Sequence, residues 1–318
     1  MSDTDLPSLV KKKDHLGVLR YIRTHKLREP DLVIEHGKAL LGPELTKNKP
    51  TSNPVLSIIL PISSALDESE WLAALEQLCL ASIDVHDDEL ASTCLSRIKT
   101  AVSPDSARVR WLLGRCLESS GDLAGADEVY EGLLKDNPAN GMALKRKYAI
   151  LRSQPGKELE TREALNKYLE LNSGDAAGWA ELGDLCHDMG DYRAATYAYE
   201  EVVLASPLNS AAHCKLGELY ATVGGRSNLK LARKHLAQSL ELDPRNMRAL
   251  FALVAAAGAY LDECSKAGKS KREAEEDDVE VAKELVKFGA EKLIKAYQGK
   301  GRMAKLIEIV MKDQTGSL

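Results

Sequence analysis

Apolar residues recur along this chain at spacings of three and four, the pattern of helices with one buried face. The stretches HLGVLRYIRTHKL and PDLVIEHGKALLG, within residues 14–42, predict two such helices. From about residue 72 to 246 the pattern itself repeats. Ala176 to Asn209 is a unit of 34 residues, two amphipathic segments around a Met-Gly-Asp turn. Ala107 to Asn140 repeats it with Leu113, Gly114, Leu117, Ala126, Tyr130, Leu133 and Pro138. After Asn209, Leu216, Gly217 and Tyr220 keep the first helix in register. Ala232, Leu236 and Pro244 keep the second, after a three-residue insertion around Gly224-Gly225. Two degenerate units start at Gly141 (Leu144, Leu151, Ala164, Tyr168) and near Leu72 (Leu75, Leu78, Ala91, Leu95, Ile98).

A two-helix unit of this length fits the tetratricopeptide repeat. That pattern places Trp, Leu, Gly, Tyr, Ala, an aromatic, Ala and Pro at positions 4, 7, 8, 11, 20, 24, 27 and 32. In the unit from Ala176 those positions hold Trp179, Leu182, Gly183, Cys186, Ala195, Tyr199, Val202 and Pro207. Gly183 and Ala195 are small so that helices A and B can cross closely, while Trp179, Leu182 and Tyr199 fill the volume around the crossing. Pro207 ends helix B, because proline lacks the N–H and clashes with the preceding turn. The predicted fold is therefore all-α, a right-handed superhelical solenoid of tetratricopeptide repeats with atypical helical caps. Residues 1–71 carry N-terminal helices and a Pro-rich loop at 43–66, and 72–246 carry about five repeats. Residues 247–318 form C-terminal capping helices, with a charged flexible segment near 262–278. The helix beginning near Asn246 is apolar on nearly every face from Ala249 to Leu261, so it must be covered on all sides. A last amphipathic region spans Val279 to Met311.

Charge and composition narrow the function. A net charge of −5 and a pI near 5.9 argue against a nucleic-acid partner. The longest uncharged run, Pro50 to Leu66, contains three prolines, and Ala249 to Leu261 has only 13 residues. Neither matches the ~20 apolar residues of a spanning helix, so membrane contact is expected to be indirect. The N-terminal MSDTDLPSLVKKKDHL has no apolar core of a secretory signal. Cys79, Cys94, Cys116, Cys186, Cys214 and Cys264 form no CxxC pair and read as reduced, packed thiols. His187, His213 and His235 stand beside no nucleophile motif, and GGRSNLK lacks the ending of a phosphate loop. The expectation is a protein that is not an enzyme, with no catalytic residue, no cofactor and no metal.

What remains is protein binding. In such repeats, positions 2, 5, 9 and 12 of helix A line the inner groove. By that register Arg108, Trp111, Arg115, Lys145 and Arg152 make a basic groove face over two repeats, while Asp184, His187 and Asp188 make an acidic one over the next. Trp111 sits one position later than the core tryptophan of the pattern and suits either an interface anchor or partial core packing, whereas Trp179 reads as repeat core. Repeat cochaperones grip acidic tails through paired Asn and Lys/Arg on this surface. No Asn stands at positions 5, 6 or 9 here, which counts against the alternative reading, a generic adaptor or cochaperone that binds a peptide in its groove.

The stretch YATVGGRSNLKLARKHLAQSLELDPRNMRALFALVAAA, Tyr220 to Ala257, resembles the subunit 2 family of the ER membrane protein complex. The shared features are Gly224-Gly225, Asn228-Leu229, Arg233-Lys234 and the block Arg245 to Phe251. NPANGMALKRKYAILRSQ and LNKYLELNSGDAAGWAELGDL are similar to that family as well. The resemblance implies a non-catalytic scaffold, peripheral on the cytosolic face of the ER membrane, in a complex that inserts transmembrane segments, tail anchors included, without nucleotide. It implies other subunits of that complex as partners, among them cytosolic parts of membrane-embedded subunits and a JAMM-like cytosolic subunit. Arg245 and Arg248, at the start of the apolar helix, are expected to meet acidic groups through charge-assisted hydrogen bonds.

Overall fold

The computed structural model describes residues 5–45, 67–266 and 276–316. Among these the chain is helical throughout and divides into two compact units, Met1–Ser153 and Gln154–Leu318.

The first unit holds α1 (Leu6–Lys11), α2 (His15–Thr24), α3 (Pro30–Leu45), α4 (Glu68–Asp84), α5 (Asp88–Ala101), α6 (Ala107–Ser119), α7 (Leu123–Asp136) and α8 (Gly141–Arg152). The second holds α9 (Glu158–Leu171), α10 (Ala176–Asp188), α11 (Tyr192–Ala205), α12 (Ser210–Val223), α13 (Arg226–Leu242), α14 (Met247–Ser265), α15 (Glu276–Tyr297) and α16 (Arg302–Gly316). Helix follows helix in hairpins: α4 packs on α5, α6 on α7, α10 on α11 and α12 on α13.

Local chemistry sets these boundaries. Eight helices begin at an Asp or Asn whose side chain accepts a backbone N–H of the first turn: Asp14, Asp87, Asp122, Asn140, Asp175, Asp191, Asn209 and Asn246. Such a cap satisfies an N–H that the helix cannot. Three of the Asn caps follow a proline by two residues (Pro138, Pro207, Pro244), so one short motif both stops a B helix and starts the next A helix. Between A and B, a residue in the left-handed region precedes the capping Asp. It is Gly121 (φ 85) or Gly190 (φ 79) in two repeats and His86 (φ 60) in another. A side chain at that φ carries strain that glycine avoids.

Packing follows the repeat register. A Cβ on Gly183 would lie 2.5 Å from Cδ2 of Tyr199, and one on Gly114 2.6 Å from Cζ of Tyr130. One on Gly217 would lie 2.6 Å from Cγ of Leu236. Each glycine receives the large side chain at position 24 of its own repeat, and Ala126, Ala195 and Ala232 are fully buried beside these crossings. In the first unit one apolar cluster runs from Leu9 through Leu78 to Leu112, and a second joins Ala126, Tyr130, Leu133, Ala143 and Ile150. In the second unit one cluster holds α14 to α15 and α16 through Leu250, Val254, Val286, Leu293, Ile307 and Met311.

Four details differ from expectation. Helix α1 was not foreseen. The 43–66 segment begins as the last turn of α3, and 46–66 lie outside the described residues. The segment near 262–278 is helical at both ends, in α14 to Ser265 and in α15 from Glu276, with 267–275 outside the described residues. The amphipathic region from Val279 is two helices, broken by a turn in which Gly299 and Gly301 have positive φ.

Candidate protein-binding surface

The basic residues assigned to the groove mostly face acids of this same chain. Arg108 on α6 pairs with Glu76 on α4. Arg115 lies 4.0 Å from Glu118, one turn along α6, and its Nε is buried without a hydrogen-bond partner. Glu118 is the centre of the joint between α6, α7 and α8. Its side chain is 11% exposed, accepts the Tyr130 hydroxyl at 2.6 Å and accepts both Nε and Nη2 of Arg146. Burial and the bonded carboxylate push the Tyr130 hydroxyl well above the usual tyrosine range. Burial lowers the pKa of Arg146, but the paired carboxylate outweighs it and the net shift is upward.

The second unit repeats the device. Tyr199 donates to Asp184 at 2.9 Å, and Lys215 on α12 meets the same carboxylate at 3.4 Å. At the next joint Leu236 replaces the tyrosine, and Arg248 donates through Nε and Nη2 to Glu218 at 2.5 and 2.7 Å. These pairs join consecutive A helices: Glu76–Arg108, Glu118–Arg146, Asp184–Lys215 and Glu218–Arg248. The partners stand 28 to 32 positions apart, a little under one repeat. That spacing is legible in the sequence.

The remaining sequence-based residues fall as follows. Lys145 and Arg152 lie on α8 and make contacts within the chain. Arg245 is exposed just before α14, and no acidic side chain among the described residues meets its guanidinium. Arg248 does form the charge-assisted bonds expected of it, with Glu218. Trp111 is half-buried and packs against both clusters of the first unit, its indole N–H buried without a partner. Trp179 is only half-buried: its Nε1 donates to the carbonyl of Ser173 at 2.8 Å and its ring meets the edge of the exposed Tyr197. Both tryptophans are therefore half-buried: Trp111 has the partial core packing that was one of its two readings, and Trp179 is less enclosed than a repeat-core residue was expected to be. Among the histidines, His213 donates Nε2–H to the carbonyl of Pro207 at 3.0 Å. Its Nδ1 therefore accepts from Nδ1 of His235 at 3.1 Å when both rings are neutral.

Two surfaces went unseen. A cavity of about 390 Å³ opens beside α2, α3 and α4, floored by Ile22, Leu27, Val33 and Leu80. Nη1 of Arg23 and Oε1 of Gln77 belong to residues lining it, and both are buried without a hydrogen-bond partner. On α16, Ile307 and Met311 are buried while Met303, Leu306, Ile309 and Val310 stand 44–67% exposed on the other side. Helices α13, α15 and α16 cover most of α14, as a helix apolar all round requires, and the outward apolar face lies on α16. Arg233, part of the family-like stretch, is 5% exposed and stacks 4.0 Å over the Tyr260 ring. Its Nη1 donates to the carbonyl of Asp278, tying α13 and α14 to the start of α15.

A chain of helix pairs with small-on-large crossings and ion-paired A helices is a tetratricopeptide-repeat protein. Residues 94–241 match the family described as the EMC2 TPR-like repeat domain. The chain belongs to the ER membrane protein complex subunit 2 family. It is 35% identical to ER membrane protein complex subunit 2-A of Xenopus laevis over 242 residues, 76% of this chain and 77% of that protein. Subunit 2 of Dictyostelium discoideum is 28% identical over 71% of this chain and 64% of its own length. Among solved structures, PilF of Pseudomonas aeruginosa superposes with a TM-score of 0.47 and 18% identity, covering 73% of this chain and 94% of that one. That fit is too loose to bear on function. No helix among the described residues is long and apolar enough to cross a membrane.

Proposed function

We propose that this protein is a non-catalytic scaffold on the cytosolic face of the ER membrane. It would hold cytosolic parts of membrane-embedded subunits, and a JAMM-like cytosolic subunit, within a complex that inserts transmembrane segments without nucleotide. The observation that carries this reading is the 35% identity, over three quarters of both chains, to a protein named as subunit 2 of that complex. The repeat surface supports it: Arg108 and Arg248 keep 70% and 69% of their side chains exposed while paired, so each can bind a second acid without leaving the first.

Within this reading Arg108, Trp111, Arg115, Lys145, Arg152, Arg245 and Arg248 are the proposed partner contacts. They divide by environment. Arg115 is only partly exposed beside Glu118, so reversing its charge would set two carboxylates against each other within α6 as well as weaken a contact. Lys145→Glu with Arg245→Glu is the cleaner pair. The tagged chain, purified from detergent-solubilised membranes, is expected to bring down the other subunits, and the double variant to bring down fewer while keeping its circular dichroism. Alkaline extraction is expected to release the chain from membranes. Retention in the extracted pellet, or recovery with no membrane protein, would count against the scaffold reading.

A further inference from the structure

We propose that Cys116 and Cys79 form an oxidisable dithiol, in which Cys116 reacts with a hydroperoxide and Cys79 then closes a disulfide that links α6 to α4. Their sulfurs lie 3.9 Å apart, brought together from positions 37 residues distant in sequence. A disulfide needs about 2.05 Å, so closure asks for roughly 2 Å of sulfur movement, within reach of side-chain rotation and a small helix shift.

The two thiols differ in the way such a pair requires. Cys116 is half-buried and lines a cavity of about 280 Å³ between α5 and α6, with Asp88, Ser92, Ser96, Lys99 and Ser120 at its polar side. A hydroperoxide can enter there without disturbing the core. Cys79 lies fully buried behind it, its thiol 3.6 Å from the carbonyl of Ala91. The hydrogen bond with Cys79 pulls the Cys116 pKa down, burial and the nearby Asp88 oppose this, and Lys99 and Arg115 add to the lowering. Cys79 is pushed up, and burial pushes Cys94 up to about 12. One accessible thiol is therefore disposed to ionise, with a protonated neighbour behind it; low pKa, access and a resolving neighbour together mark redox-responsive cysteines.

The chemistry balances. The Cys116 thiolate attacks one peroxide oxygen, the O–O bond breaks, and the alkoxide leaves as an alcohol after taking a proton. Cys116 is now a sulfenic acid. The Cys79 sulfur attacks Sγ of Cys116, the S–O bond breaks, and hydroxide leaves as water with the Cys79 proton. Two thiols and one hydroperoxide give one disulfide, one alcohol and one water. A dithiol reductant restores the pair by exchange.

The test uses the purified full chain and hydrogen peroxide, with free thiols blocked before digestion and peptides read by mass spectrometry without reduction. The expected product is a linked Cys79–Cys116 peptide, reversed by dithiothreitol. Before oxidation, Cys116 is expected to alkylate about tenfold faster than the buried Cys214, as thiolate character and access govern the rate. In Cys79→Ser the Cys116 sulfenic acid should persist and be trapped by dimedone. In Cys94→Ser the linked peptide should form as in the unaltered chain. If Cys79→Ser fails to fold, the linked peptide and alkylation order in the unaltered chain still decide the matter. Alkylation of Cys116 no faster than Cys214, or a stable Cys116 adduct with dimedone in the unaltered chain and no linked peptide, would overturn the proposal.

Discussion

Two joints of this molecule use the same three parts with different burial. In the first unit Tyr130, Glu118 and Arg146 form a chain of hydrogen bonds around a carboxylate that is 11% exposed. In the second unit Tyr199, Asp184 and Lys215 repeat the order around a carboxylate that is 48% exposed. The first carboxylate has little water to fall back on, and the planar guanidinium meets it through two nitrogens. The second is half in water and meets a single ammonium. Desolvation makes a polar group costly to leave unmatched, so the same motif matters more where it is closed in.

The comparison can be broken at Glu118. Glu118→Ala strands the Tyr130 hydroxyl and the Arg146 guanidinium and is expected to cost about 3 kcal/mol, read as the shift in urea midpoint. A loss no greater than that of the exposed joint would mean water enters when the carboxylate leaves. Next in size is a steric change common to both units. Ala195→Leu, at a fully buried site beside the Gly183–Tyr199 crossing, should cost about 2 kcal/mol through overpacking. A neutral result would show that the helix pair can separate freely.

A smaller effect is expected from the hydroxyls. Burial, with the bonded carboxylate, holds Tyr130 and Tyr199 protonated beyond the ordinary range, and Tyr168 is pushed up to about 12 by the same two causes, its carboxylate being Asp175. A raised folded value means that the unfolded chain releases these protons first. Their contribution is therefore complete below about pH 10, the ordinary tyrosine value, and declines as pH rises through the folded values. Tyr130→Phe should cost about 1 kcal/mol at neutral pH and make the loss between pH 9.5 and pH 11.5 shallower. An unchanged slope would place the alkaline loss elsewhere. Asp184→Ala completes the series at about 0.5 kcal/mol, since an exposed pair in high dielectric contributes little. A cost approaching that of Glu118→Ala would remove the contrast between the two joints.

Much of the fold was legible because its determinants are local. Gly183, Ala195, Tyr199 and Pro207 lie within one repeat, and their spacing alone predicted the crossing that the structure contains. The Pro-x-Asn and Gly-Asp boundaries are equally short-range. The surface was harder. Arg108 and Arg115 are legible as groove-lining bases and Arg248 as a base that meets an acid, but which acid each meets depends on neighbouring turns or neighbouring repeats. Trp111 and Trp179 are both half-buried, because adjacent helices, which helix register alone does not describe, decide how far each ring is enclosed.

By itself the sequence determined helix periodicity, caps, the small-on-large register and the family, each carried by residues a few positions apart or by order along the chain. Only the tertiary structure decided which base meets which acid, that Cys79 and Cys116 face each other, and that α16 presents a row of apolar side chains outward. Those outcomes depend on distances between helices, and on how much water each helix excludes from its neighbour.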